Sequence, residues 1–183
     1  MQEKTSASRT VKIPDGIEVG QDGNTVAVKG QKGELKREFR HFSVKLEKAG
    51  SEIKITSDGR GRKECAVIGT WEAHLKNMFT GVQKGYEAKM KMVYSHFPPK
   101  MSVDGKKFVV SNFLGEKRAR AVEIEGNVKI DVKKDEITIT GANKEEVGQA
   151  AASIEQMTKI TRYDRRVFQD GCYLTQPARP SEK

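Results

Sequence analysis

The two halves of this chain repeat one another, and this repeat limits the folds open to it more than any other feature. Residues 19–37 read VGQDGNTVAVKGQKGELKR, and residues 101–119 read MSVDGKKFVVSNFLGEKRA. Each copy places an Asp-Gly turn between short alternating segments, which is typical of a β-hairpin. When Asp22 is aligned with Asp104, Gly33 falls on Gly115. An internal repeat of this length predicts two similar domains.

The repeat continues into a second pair of strands and then a helix. Residues 42–57 read FSVKLEKAGSEIKITS and residues 127–142 read NVKIDVKKDEITITGA, with apolar residues at alternate positions, as half-buried strands require. Apolar residues then recur at helical spacing in each copy: Cys65, Ile68, Leu75, Met78 and Phe79 in the first, and Val147, Ala151, Ile154 and Met157 in the second. We therefore expect an α+β protein of two similar domains, each a small, mostly antiparallel sheet with one packed helix.

The boundary between the expected domains falls near residues 80–85, where two glycines flank a short polar stretch. We place the first domain at residues 1–82 and the second at residues 83–183. The tail from Thr175 has no periodicity and is expected to lack stable structure by itself. Trp71, the single tryptophan, is expected to pack in or beside the first core rather than to stack on a ligand.

The charge of the chain favours a polyanionic partner. Its 34 Lys and Arg residues outnumber its 25 Asp and Glu residues, for a net charge of +9. A basic surplus attracts nucleic acid and releases its counterions, although a protein that is simply basic would show the same composition. The apolar runs are too short to span a membrane, and the N-terminal residues lack the apolar segment of a secretory signal. We therefore expect a cytoplasmic protein.

Signals of catalysis or of metal binding are weak. The G-x-S-x-G motif does not occur, and the basic segment at residues 59–63 lacks the spacing of a phosphate-binding loop. Cys65 and Cys172 are far apart and form no C-x-x-C pair, and the three histidines are scattered. We expect both cysteines to be reduced, with no bound metal and no cofactor. The sequence favours a protein that is not an enzyme.

The candidate binding residues are mostly basic and lie in the second copy. The helix start at residues 143–152, NKEEVGQAAA, is rich in small residues and permits close approach of a backbone, and its unpaired N–H groups favour a phosphate. Basic residues interleaved with Tyr163, Phe168 and Tyr173 follow, as in RNA-binding surfaces. A solvated edge strand with Phe168 facing the core would also explain that pattern. The candidate RNA-binding residues are Lys144, Gln149, Ser153, Lys159, Arg162, Arg165, Arg166, Lys117, Arg118 and Arg120.

Four segments carry a resemblance to a known family. Residues 13–19 (IPDGIEV) and 25–35 (TVAVKGQKGEL) resemble the opening of the large-subunit ribosomal protein L6 family. Residues 143–151 (NKEEVGQAA) resemble the helix start of that family's second domain, and residues 165–171 (RRVFQDG) are similar to the C-terminal motif of its archaeal and eukaryotic branch. The proline-tyrosine-lysine-glycine run and the strongly basic tail of bacterial members are missing, which favours an archaeal-type member.

The resemblance implies a structural protein of two similar domains without catalytic activity. It implies binding to large-subunit rRNA, mostly through the second domain, near the sarcin–ricin loop where translation factors dock. Its expected partners are that rRNA, neighbouring large-subunit ribosomal proteins and the translation factors. An RNA-binding regulator outside the ribosome is the alternative, and a small enzyme with an unrecognised site is a third possibility.

Overall fold

The computed structural model describes residues 8–57, 59, 61–95, 97–161 and 163–181. The chain divides into two compact units, residues 1–84 and 85–183. The described part of each unit contains antiparallel sheets and one α-helix, which confirms the α+β class expected from the repeat. Among the described residues, none of the helices has the length and apolar character that a membrane span requires.

The first unit holds two three-stranded sheets, ordered β1-β6-β5 and β2-β3-β4, with one helix. Its elements are β1 (Ser8–Lys12), β2 (Glu18–Asp22), β3 (Thr25–Gly30), β4 (Gly33–Glu38), β5 (Val44–Ala49), β6 (Glu52–Ser57) and α1 (Arg62–Gln83). Trp71 is buried in the core and meets Phe39 edge to face, with ring centroids 5.4 Å apart, which confirms its packing role.

Cys65, expected on the packed face of α1 from its helical spacing, is not buried. It is exposed, and burial along the helix begins at Ile68. The spacing of apolar residues marks one side of a helix but not how far the sheet beneath it extends. On the same helix, Glu72 pairs with Lys76 (2.7 Å) and with Arg9 of β1, and these two cations hold the pKa of Glu72 below its usual range.

The second unit holds a three-stranded sheet, ordered β10-β9-β8, and a four-stranded sheet, ordered β11-β12-β7-β13. Its elements are β7 (Tyr86–Val93), β8 (Lys100–Asp104), β9 (Lys107–Ser111), a 3₁₀ turn (Phe113–Gly115), β10 (Arg120–Glu123), β11 (Val128–Lys133), β12 (Glu136–Gly141), α2 (Lys144–Met157) and β13 (Gly171–Pro180). Its core is formed by β7, β9, β12 and α2, and includes Met90, Phe108, Ile139 and Ile154.

The two units share one topology. Strand β1 pairs with β6 as β7 pairs with β12, and the hairpins around Asp22 and Asp104 occupy the same place in each unit. Gly33 and Gly115, which the sequence repeat aligns, do not occupy equivalent places in the two units. Gly33 begins β4 directly after a tight turn, whereas Gly115 ends a 3₁₀ turn and β10 begins only at Arg120. The basic segment at residues 116–119 is therefore a loop, and its counterpart at residues 34–37 is a strand.

Two expectations about the ends of the units were wrong. Residues 80–83, expected in the linker, form the last turn of α1, so the helix itself reaches the boundary between the units. The tail from Thr175, expected to lack structure, lies in β13, which pairs with β7 from Gly171 opposite Val93 to Pro180 opposite Tyr86. Proline is tolerated there because β13 is an edge strand with register shifts.

Candidate nucleic-acid interface

The segment between α2 and β13, residues 159–170, is anchored at both ends. At its start, the buried Thr158 hydroxyl accepts a hydrogen bond from the Cys172 amide (3.0 Å). At its end, the buried carboxylate of Asp170 accepts a hydrogen bond from the Ser95 amide (3.1 Å). We call this segment the 159–170 loop. Because both ends are tied to the core, residues in its middle can project into solvent without losing a defined position.

Asp164 shapes the middle of the 159–170 loop. Its carbonyl oxygen accepts from the amides of Val167 (3.1 Å) and Phe168 (2.9 Å), and its carboxylate accepts from the Arg166 amide (2.9 Å). This is a turn closed by an aspartate side chain, so the described residues of this loop do not form the edge strand that was the alternative. Tyr173 of the same cluster does lie on an edge strand, β13. Arg165 and Arg166 are exposed, as is Lys159, and Phe168 packs partly against the core as expected. Arg162 lies outside the described residues.

A second basic loop, residues 112–119, connects β9 to β10. Its first half is tightly wound, since Asn112, Leu114 and Gly115 all have positive φ angles (59°, 53° and 74°). Its second half exposes Lys117 and Arg118 to solvent. We call it the 112–119 loop.

Arg120 joins these two loops and is not a free cation. Its guanidinium forms a two-point ion pair with Glu116 (2.9 and 2.6 Å) and lies 4.5 Å from the centre of the Phe113 ring. The same group donates to the carbonyl oxygens of Met157 (3.0 Å) and Lys159 (3.3 Å) at the end of α2. Arg120 was predicted as an RNA contact, but its donors are engaged within the protein, so we assign it to holding the loops together.

The N-terminus of α2 differs from its expected role as a phosphate site. The Asn143 side chain caps it by accepting from the Glu145 amide (3.0 Å), and its first turn carries Glu145 and Glu146. A cap and two carboxylates disfavour a phosphate at this position. Lys144 and Gln149 are exposed, and Ser153 is half-buried. These three remain candidates for contacts from the side of the helix rather than from its end.

The small residues of α2 do not all serve the same purpose. Ala150 and Ala151 are buried against the sheet. Gly148 is exposed, and a Cβ added to it would meet nothing within 4 Å. The close approach that glycine permits is therefore not used by the protein's own sheet, and the backbone at Gly148 is open to an external partner.

The first unit offers a simpler basic feature at the start of α1. Gly61 occupies the N-cap without a side-chain cap, and Arg62 and Lys63 are exposed in the first turn. Arg60, in the same basic segment, lies outside the described residues. This turn is the alternative binding position in the first copy.

Neither cysteine forms a disulfide. Cys172 packs its sulfur 3.8 Å from that of Met92, and burial raises the pKa of its thiol to about 11. Cys65 is exposed on α1. Within the part of the chain that the structure describes, no three His, Cys, Asp or Glu side chains come together as a metal ion would need.

Comparison with known proteins identifies the family. The sequence profile described as Ribosomal protein L6 matches residues 13–85 and 97–171, which covers both copies of the repeat. The chain belongs to the ribosomal protein L6 family. Members of this family are structural proteins and not enzymes, which confirms the expectation that this chain is not an enzyme.

Archaeal proteins are similar to this chain over most of its length, which confirms the archaeal type expected from the resemblance. "Large ribosomal subunit protein uL6" of Methanosarcina mazei is 44% identical over 171 residues, covering 93% of this chain and 97% of that protein. The protein of the same name from Methanothrix thermoacetophila is 46% identical over 168 residues, covering 92% and 96%. That of Picrophilus torridus is 40% identical over 171 residues, covering 93% and 95%.

Sequence reasoning missed two residues that the structure places beside the basic loops. Phe97 and Leu114 line a small cavity together with Tyr163, Phe168 and Asp170. A signal for Phe97 was present, since it precedes Pro98 and Pro99 and so belongs to a connection rather than a strand. The sequence carries no such signal for Leu114, because none of its neighbours predicts a positive φ angle at this position.

Proposed function

We propose that this chain is a structural protein of the large ribosomal subunit that binds large-subunit rRNA mainly through its second domain. The 159–170 and 112–119 loops form the proposed contact surface, flanked by the exposed side of α2 at Lys144 and Gln149. The similar proteins, which carry the name of a large-subunit protein, support the assignment to that subunit. The arrangement of charges in the two loops supports the choice of domain.

The choice of the second domain rests on a difference between the basic and the acidic side chains of the two loops. The cations of the loops, Lys117, Arg118, Lys159, Arg165 and Arg166, are exposed. Their carboxylates are engaged within the protein: Glu116 pairs with Arg120, Asp164 closes its own turn and Asp170 is buried. A surface with free cations and occupied carboxylates attracts a polyanion.

Such contacts would hold the protein in place rather than read a sequence. Lys and Arg bind phosphate oxygens, and phosphate contacts fix register without distinguishing bases. Recognition of this kind depends mainly on the shape of the folded RNA. From the family resemblance we further propose a position near the sarcin–ricin loop, beside neighbouring ribosomal proteins and the translation factors, in a cytoplasmic ribosome.

Binding of the full chain to protein-free large-subunit rRNA across a salt series tests the proposal. Each phosphate contact contributes about 0.7–0.9 to the slope of log affinity against log salt. Replacing Lys117, Arg118, Arg165 and Arg166 together by Gln should lower both the affinity and the slope. The control is Arg62→Gln with Lys63→Gln in the first domain, which removes two charges rather than four and should change the affinity and the slope much less for each charge removed. If the control lowers the affinity and the slope more than the test variant does, the main RNA-binding surface lies in the first domain.

Sedimentation separates the ribosomal protein from the alternative, an RNA-binding regulator outside the ribosome. A structural protein of the large subunit stays with that subunit through moderate salt. A regulator would remain in the soluble fraction at the same salt concentration, and this result would overturn the assignment to the ribosome while leaving RNA binding intact.

A further inference from the structure

A small cavity with aromatic walls lies beside the basic loops of the second domain. Its volume is about 130 Å³, and it is lined by Phe97, Leu114, Tyr163, Phe168 and Asp170. Leu114 belongs to the 112–119 loop, and Tyr163, Phe168 and Asp170 belong to the 159–170 loop. The cavity is therefore formed by the same two loops that carry the exposed cations.

Two of the lining rings are unusually exposed for aromatic side chains. Phe97 is 48% exposed and Tyr163 is 53% exposed. Each is nevertheless held in place. The ring of Tyr163 packs on that of Phe168 with centroids 4.9 Å apart, and the Phe97 ring lies close to the backbone of Gly115, where a Cβ would meet it at 3.5 Å. A positioned ring with an open face is ready to stack on a further planar group.

The size and the surroundings of the cavity indicate what would fill it. It is smaller than the roughly 300–1,000 Å³ typical of sites for drug-sized ligands, so it suits a single planar ring system. Lys117, Arg118, Arg165 and Arg166 are exposed on the loops that line it, so the partner that brings this ring carries negative charge. Aromatic rings beside Lys and Arg form the surface on which unpaired RNA bases stack.

We propose that the cavity receives one unpaired base of the large-subunit rRNA, stacked on Phe97 or Tyr163, while the neighbouring cations hold the flanking phosphates. This inference rests on the proposed function and adds a contact to a base where that function requires only contacts to phosphates. It predicts that part of the affinity does not depend on salt, because stacking releases no counterions.

Ultraviolet cross-linking of the full chain to protein-free large-subunit rRNA, with the modified peptides mapped by mass spectrometry, tests this contact directly. We expect cross-links at Phe97 or Tyr163. In binding assays, Phe97→Leu and Tyr163→Leu should each weaken the affinity for the rRNA and leave the salt slope unchanged. The variant that loses the more strongly stacked ring should bind about 5- to 100-fold more weakly. Leucine keeps an apolar side chain in the cavity, so the fold is retained. Tyr163→Phe keeps the ring and should keep the affinity.

The control is Phe42→Leu in the first domain, where Phe42 is 90% exposed and lines no part of this cavity. Its affinity should match that of the unmodified chain. If the unmodified chain binds with a salt slope but neither Leu variant weakens binding and no cross-link maps to Phe97 or Tyr163, the base contact is refuted and the proposed function stands. If the unmodified chain does not bind the rRNA, the proposed function fails and this inference fails with it.

Discussion

Replacing Arg120 by methionine tests whether one guanidinium holds the two loops of the interface together. Methionine is similar in length and keeps contact with the Phe113 ring, but it removes the ion pair to Glu116 and the hydrogen bonds to Met157 and Lys159. The change therefore removes the charge and the donors while leaving most of the packing.

The expected loss follows from these contacts and their exposure. The side chains of Arg120 and Glu116 are 24% and 39% exposed, so the ion pair itself contributes about 0–1 kcal/mol. A cation at the end of α2 adds roughly 0.3–1 kcal/mol. The carbonyl oxygens of Met157 and Lys159 lose a charged hydrogen-bond donor. Because water replaces this donor only in part, the loss costs about 1 kcal/mol or more. We expect Arg120→Met to lower the free energy of unfolding of the second domain by about 2 kcal/mol.

Fluorescence can follow the two domains separately during urea unfolding. The single tryptophan, Trp71, lies in the first domain, and all four tyrosines lie in the second. With a urea dependence of about 1–3 kcal/mol per molar for a small protein, a loss of about 2 kcal/mol lowers the tyrosine-reported midpoint by roughly 1 M. The tryptophan-reported midpoint should not change.

Arg118→Met is the matched control, because Arg118 is exposed in the same loop and should change the stability by no more than about 0.5 kcal/mol. Arg120→Lys, which keeps the charge but loses the planar fork, should lie between the two. If Arg120→Met shifts the tyrosine-reported midpoint no more than Arg118→Met, Arg120 does not hold the loops together, and its assignment as an RNA contact returns.

Three further outcomes can be measured on the same chain. With the thiol pKa of Cys172 raised to about 11 by burial, alkylation of the folded chain at pH 8 should modify Cys65 alone, and both cysteines after unfolding, as counted by mass spectrometry. Gly126→Ala places a Cβ against the Glu146 carboxylate at a φ of +90°, so it should lower the tyrosine-reported midpoint more than Gly105→Ala, which has a positive φ but open surroundings. Gly148→Ala should raise stability by about 0.5–1 kcal/mol in calorimetry, yet weaken rRNA binding in the salt series.

The sequence predicted the elements whose signals are local. Asp-Gly turns and alternating apolar residues depend on neighbours in the chain, and they identified the repeated hairpins correctly. Strand β13 has no such signal, because Pro177 and Pro180 interrupt it and its pairing partner, β7, is distant in sequence. β13 forms because it pairs with the open edge of β7, and no local sequence pattern indicates that this edge is available.

The residue types at the candidate site could be predicted from the sequence, but the partners of their side chains could not. Exposure of Lys117, Arg118, Arg165 and Arg166 follows from their charge, which is costly to bury. That Arg120 is engaged depends on carbonyl oxygens at residues 157 and 159, which no local pattern brings close. The cap of α2 could have been foreseen, since Asn143 followed by Glu146 is a helix-start signature, and the side-chain amide of Asn143 donates to the Glu146 carboxylate (2.9 Å).

The proposed interface lies where the two copies of the repeat differ. The first copy ends with α1, and its β3 and β4 are joined by a tight turn between Gly30 and Gly33. The second copy replaces that turn with the 112–119 loop, and it continues past α2 through the 159–170 loop into β13. Arg120 lies directly after the first insertion and donates to Lys159 at the start of the second, so the two additions form one structural unit. The first copy builds its core without either addition, whereas in the second copy Phe113, Ile160 and Cys172 of these segments join the core. The joint position of the two additions, with free cations and open aromatic rings, is therefore best explained by a function that only the second copy performs.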